Sequence, residues 1–206
     1  VQLGDLMRSL DRHGEAEKIF GEVIAYDASQ EKTDWRLLYA RGAARERMGN
    51  WPAAETDLRA ALDIAPEQAN ILNYLGYGLV DRGEHLEEAL GMIRKAVRLE
   101  PSSGQIVDSL GWAYYRLGRI DEAVRYLERA VELEPGDAIL NDHLGDAYWR
   151  VGRTLEARFQ WTRAIGLADG EDVVSRLQAK IDGGLETGTA ALAATGDVAP
   201  SASTNP

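Results

Sequence analysis

Side chains able to move a proton or hold a metal are present in this chain, but few stand at a spacing that chemistry can use. The three histidines, His13, His85 and His143, show no metal-ligand spacing, and there is no cysteine to supply a thiolate. They read as surface or turn histidines. Asp142-His143 is a His–carboxylate neighbour pair, but adjacency along a chain does not make an acid–base dyad. The adjacent acids Glu87-Glu88 and Asp121-Glu122 open helical segments, where they complement a helix dipole. No G-x-S-x-G, Walker A loop, dinucleotide-binding glycine run or H-E-x-x-H occurs. The expectation is no enzyme, no catalytic residue, no metal and no cofactor. Order appears instead in a recurrence: Asn73, Asp108 and Asp142 lie 35 and 34 residues apart, at corresponding places in a repeated pattern.

The elements that position them repeat as well. Gly49, Gly83, Gly118 and Gly152 are spaced by 34, 35 and 34 residues, and Ala54, Ala89, Ala123 and Ala157 by 35, 34 and 34. In the stretch Leu110–Ala123, Leu110, Tyr114 and Leu117 form one apolar helical stripe. Gly111 is small where a neighbouring helix must come close. Gly118 permits a turn with positive φ. Ala123 opens a second helix carrying Leu127, Ala130, Val131 and Leu133, and Pro135 ends it. The same order returns around Leu75-Gly76 and Leu144-Gly145, and more loosely at Arg41-Gly42. One extra residue within Gly83–Ala89 accounts for the irregular spacing and belongs in a turn. A period near 34 residues predicts an all-α solenoid, in which each unit buries its apolar face on its neighbours.

Composition narrows the partners. A net charge of −11 and a pI near 4.8 oppose binding to a phosphate backbone, so nucleic acid is not expected. No apolar run approaches the ~18–20 residues of a membrane span. Absence of cysteine fits both cytosol and periplasm. The chain opens at Val1 in helix-like sequence, which reads as a fragment or processed form. An upstream segment would then hold any export signal or membrane anchor.

These motifs resemble the tetratricopeptide repeat: an L-G, an aromatic residue, a turn glycine, then A, A and P. The resemblance covers residues 1–168. It implies a right-handed superhelical solenoid of antiparallel helix pairs. Residues 1–31 form a partial, degenerate unit, in which Gly14 is displaced from the turn and a longer loop follows near Ser29–Thr33. Four units follow within 32–168, at about 35–68, 69–103, 104–137 and 138–168. A capping helix at 169–183 places Val173, Val174, Leu177 and Ile181 on one face with charges opposite. The Gly/Ala/Ser/Thr-rich remainder, 184–206, is expected to lack order, with a short helix at Ala190–Ala194 as the alternative.

The resemblance further implies that first helices line a concave groove. Its inward positions are Tyr39, Ala43 and Glu46 in the loose unit, and Asn73, Tyr77 and Val80 in the next. Asp108, Trp112 and Tyr115 follow, then Asp142, Asp146 and Trp149 with Arg150 alongside. The expected protein-binding residues are Asn73, Tyr77, Asp108, Trp112, Tyr115, Asp142, Asp146, Trp149 and Arg150. Aromatics beside carboxylates suit an extended peptide, basic or neutral, with apolar anchors. The bland alternative is that these rings pack on adjacent helices and see little solvent. Trp35, Trp51 and Trp161 are assigned to packing. The Lys/Asn/Arg carboxylate clamp of some family members is not matched. The functional expectation is a non-catalytic scaffold or adaptor for a protein partner. Its alternatives are a self-assembling homo-oligomeric module and a regulatory domain of a longer enzyme. The wording around the L-G motifs also resembles repeat proteins of Gram-negative bacteria, several of them lipid-anchored periplasmic adaptors, with the cytoplasm as the other compartment.

Overall fold

The computed structural model describes residues 2–29 and 33–185, and the regular structure among them is entirely α-helical. The predicted tail beyond residue 185, the helix at Ala190–Ala194 and the centre of the loop near residue 31 lie outside the described residues. The helices are α1 (Gln2–Ser9), α2 (His13–Ser29), α3 (Trp35–Arg47), α4 (Trp51–Ile64), α5 (Ala69–Arg82), α6 (Leu86–Leu99), α7 (Gly104–Arg116), α8 (Ile120–Leu133), α9 (Ala138–Arg150), α10 (Thr154–Leu167) and α11 (Glu171–Gly183).

Local chemistry sets where these helices start and stop. Ser103 Oγ accepts the Ile106 amide ahead of α7 at 3.3 Å. Asp137 Oδ1 accepts the Ile139 and Leu140 amides ahead of α9 at 2.8 and 3.3 Å. Each satisfies amides that a helix start leaves without intrahelical partners. At the end of α7, Gly118 takes φ +73°. Its amide donates to Tyr115 O, and the Arg119 amide donates to Tyr114 O, both at 2.9 Å. The chain therefore reverses within the three residues Leu117, Gly118 and Arg119, and α8 returns along α7. Gly49, Gly83 and Gly152 adopt the same hand. The irregular spacing is absorbed before α6, where His85 sits in the left-handed region at φ 45°. In the first pair the turn residue with positive φ is Asp11, and Gly14 lies inside α2.

Two compact units divide the chain between Leu75 and Gly76, within α5. In the first, Met7, Ala16, Phe20, Leu37, Ala40 and Ala44 form a core. Beside it, Asp57, 3% exposed, receives Arg41 Nε and Nη2 at 2.8 and 2.7 Å, and Arg45 Nη1 at 2.8 Å. Arg41 stands where the later repeats carry Leu75, Leu110 and Leu144. Asp57 supplies the charge that lets a guanidinium occupy that place.

In the second unit α7 packs on α8, α9 on α10, and α8, α9 and α10 continue onto α9, α7 and α11. The L-G glycines set how closely the paired helices approach. A Cβ built on Gly111 would lie 2.6 Å from Leu127 Cγ, and one on Gly145 would lie 2.5 Å from the Trp161 ring.

Candidate functional site

Within the second unit, α7, α9 and α11 converge on a cavity of about 540 Å³, to which Tyr77 of α5 also contributes. Four of the sequence-predicted residues, Tyr77, Trp112, Asp142 and Asp146, line it together. They arrive from three successive first helices because the repeat returns the same helix face every 34 to 35 residues.

The rest of the predicted set does not line this cavity. Asp108 lies behind it, with Oδ2 2.9 Å from His143 Nδ1. Tyr115 is fully buried and stacks on Trp112 at 4.7 Å. Arg150 Nε donates to the Tyr115 hydroxyl at 3.0 Å. Trp149 packs on Trp161 at 5.6 Å, with the Arg158 guanidinium 5.5 Å from its ring. It also abuts Gly184, where a Cβ would overlap the ring. Asn73 belongs to the first unit. There Tyr74, its neighbour on α5, meets Tyr39 edge-on at 5.6 Å and donates to Glu46 at 3.2 Å.

The aromatic residues are better packed than a solvated groove wall. Trp112 is 1% exposed and stacks between Tyr115 and the His143 imidazole, the latter at 4.2 Å and 14°. Its indole Nε1, like Asp108 Oδ1 and Asn73 Oδ1, is buried with no hydrogen-bond partner among the described residues. Trp51 and Trp161 are buried, and Trp35 is half-buried under the Arg36 guanidinium.

His143 departs from the sequence reading. It is buried, and its partner is Asp108, one repeat earlier, rather than its neighbour Asp142. A hydrophobic-run reading could not show this, because the pair forms only when α7 and α9 lie side by side. Burial opposes charge on this imidazole, but Asp108, reinforced by Asp142 and Asp146, holds its pKa above the ordinary 6.5.

The charges of α11 also depart from expectation. Lys180, on the edge of the apolar stripe, reaches Asp142 Oδ1 at 2.6 Å and Asp146 at 2.8 and 3.0 Å. Arg176 stands 3.6 Å from Asp142. Trp161 Nε1 donates to Asp146 at 2.9 Å. Burial raises the Asp146 pKa, which Lys180 partly offsets. Burial disfavours the Lys180 ammonium, yet Asp146 and Asp142 hold its pKa above the usual value. Among the predicted apolar residues of the cap only Leu177 is buried, and Val173 instead faces the cavity. The only advance signal for Lys180 was its place three residues after Leu177, at the rim of the stripe.

Among the described residues no group of three or more His, Asp or Glu is arranged to hold a metal ion, and no helix is long and apolar enough to cross a membrane. The second unit is thus a stack of antiparallel helix pairs enclosing an aromatic and acidic pocket, the architecture of a helical repeat protein. The sequence model of the tetratricopeptide repeat matches residues 39–104 and 109–172, and the chain belongs to that family. It is 36% identical over 112 residues to the TPR repeat-containing protein PA4667 of Pseudomonas aeruginosa. That match takes in 54% of this chain and 19% of the relative, so the chain spans less than a fifth of that protein's length. Among solved structures, the thermophilic TPR protein TTC0263 of Thermus thermophilus is similar with a TM-score of 0.72 at 23% identity, over 87% of this chain and 95% of that one. PilF of Pseudomonas aeruginosa has a TM-score of 0.71 at 17% identity, over 87% and 88%. MamA from Desulfovibrio magneticus RS-1 has 0.64 at 23%, over 80% and 94%. The shared fold is in general a protein-interaction scaffold.

Proposed function

We propose that this chain is a non-catalytic adaptor that binds a segment of a partner protein in the cavity of its second unit. The observation that carries this reading is the cavity itself: an opening of about 540 Å³, walled by Tyr77 and Trp112 and edged by carboxylates and two cations. Pockets that hold ligands have this size and this mix of apolar walls with a few placed polar groups. The test is co-purification from the source organism. Trp112→Ala is a poor probe, because removing a buried Trp costs about 3–5 kcal/mol of stability by itself. Asp169 and Arg176 line the cavity yet are exposed, so Asp169→Ala/Arg176→Ala should reduce partner capture with helicity unchanged. Asp121→Ala/Arg125→Ala, on exposed positions of α8, should not. Equal loss from both pairs would refute the assignment. An envelope or periplasmic adaptor is the setting that the resemblance to Gram-negative repeat proteins favours.

A second reading, self-assembly, has its own observation. Leu3, Leu6 and Leu10, on α1 and just after it, are 55%, 51% and 55% exposed. An apolar stripe of this kind suits stacking on another copy. Sedimentation of the wild type beside a Leu3→Ser/Leu6→Ser/Leu10→Ser variant decides it: an oligomer lost in the variant supports this route, and a monomeric wild type removes it.

A further inference from the structure

We propose that the cavity seats a lysine or arginine side chain of the partner, an inference that rests on the adaptor reading above. The lining carries the carboxylates Asp137, Asp142, Asp146 and Asp169 against Arg176, Lys180 and the His143 imidazole, whose own carboxylate partner is Asp108 behind the wall. These charges are not used equally. Asp142 and Asp146 are engaged by Lys180. Asp137 spends Oδ1 on capping α9. Asp137 and Asp169 have no cationic partner among the described residues. The pocket therefore keeps an uncompensated negative field at its rim. A low-dielectric wall strengthens such a field towards a cation and repels a carboxylate.

The aromatic component favours the same charge. The faces of Tyr and Trp rings carry negative potential and attract ammonium and guanidinium groups. Tyr77 supplies such a ring on the cavity wall, whereas both faces of Trp112 are already covered by Tyr115 and His143. The apolar surface of Ile139, Leu167 and Val173 can cover the methylene stem that separates a basic head from its backbone. Lys180 demonstrates the chemistry in place, since its ammonium is held by two carboxylates 6.0 Å from the Trp161 ring. A partner's basic side chain would enter beside it, its head facing Asp137 and Asp169.

The test uses an array of nine-residue peptides, neutral except at a central position carrying Lys, Arg, Gln, norleucine or Glu. Peptides with central Lys or Arg should be retained about tenfold better than Gln or norleucine, a preference that fades with added salt, and Glu peptides should be retained least. Asp137→Asn/Asp169→Asn should erase the preference. It should leave the fold intact, because Asn caps a helix as well as Asp and Asp169 is exposed. Retention that ignores the central residue, yet is lost when Val173→Trp fills the cavity, would overturn this inference while sparing the adaptor reading. Retention of no peptide at all would overturn both.

Discussion

At the scale of single residues, glycine and charge do different work in this chain. Gly111 is small because Leu127 occupies the space of its missing side chain. Gly111→Ala should therefore destabilise the protein by about 1–3 kcal/mol through overpacking, despite alanine's better helix propensity. Gly91, inside α6, has nothing within 4 Å of its Cβ position. Gly91→Ala should stabilise by roughly 0.5–1 kcal/mol. Denaturant titration of the two variants separates contact from propensity, and equal shifts would refute the close-approach role. The L-G glycines were legible because they recur with the period. Asp57 was not: along its helix it reads as one more solvated acid. Its partners Arg41 and Arg45 come from α3, 16 and 12 residues away. Asp57→Ala leaves the half-buried Arg41 guanidinium without its carboxylate and Arg45 with Glu17 alone, and should cost about 3 kcal/mol.

Among the elements, α11 combines roles that sequence reading had kept apart. The spacing of Val173, Val174, Leu177 and Ile181 suggests a helical stripe, yet of the four only Leu177 is buried. The use of Lys180 was not legible, because a lysine at the edge of a stripe ordinarily extends into water, and only the neighbouring α9 reveals Asp142 and Asp146 as its partners. Lys180→Met keeps the stem but strands those carboxylates, and should cost about 3 kcal/mol, seen as faster amide exchange along α11. The α7–α9 contact adds a pH dependence. Around His143 stand Asp108 on α7, Asp142 and Asp146 on α9, Arg176 and Lys180 on α11, and Tyr77 on α5. Its folded pKa is raised above 6.5. Protonation thus contributes stability that is full below about pH 6.5 and is lost as pH rises through the folded value. Thermal midpoints should fall from pH 6 to pH 8 in the wild type, and His143→Gln should flatten that slope. An unchanged slope in the variant would place the titration elsewhere.

For the whole molecule, the repeat period makes the all-α fold and the family legible in the chain alone, because stacked units must reuse the same few contacts. It also brought Tyr77, Trp112, Asp142 and Asp146 to one cavity. What it could not show was how that surface is occupied. Trp112 and Tyr115 are core by burial, and the polar part of the pocket draws on Asp137, Asp169, Arg176 and Lys180, which lie outside the inward positions of the first helices. These come from the inter-helix segments and α11, where the repeat pattern carries least information. In a solenoid, stability is close to a sum of local terms. Asp57→Ala should therefore accelerate amide exchange in α3 and α4 much more than in α7 and α8, and a uniform increase would contradict that.

Site-specific photo-crosslinking in the source organism tests the central claim most directly, with a photoreactive residue at Asp169 on the cavity rim or at Arg125 on the exposed side of α8. The account predicts one protein crosslinked from position 169 and absent from position 125, and no such crosslink once Val173→Trp fills the cavity. Crosslinking from position 125 with none from 169, or capture unaffected by Val173→Trp, would contradict it.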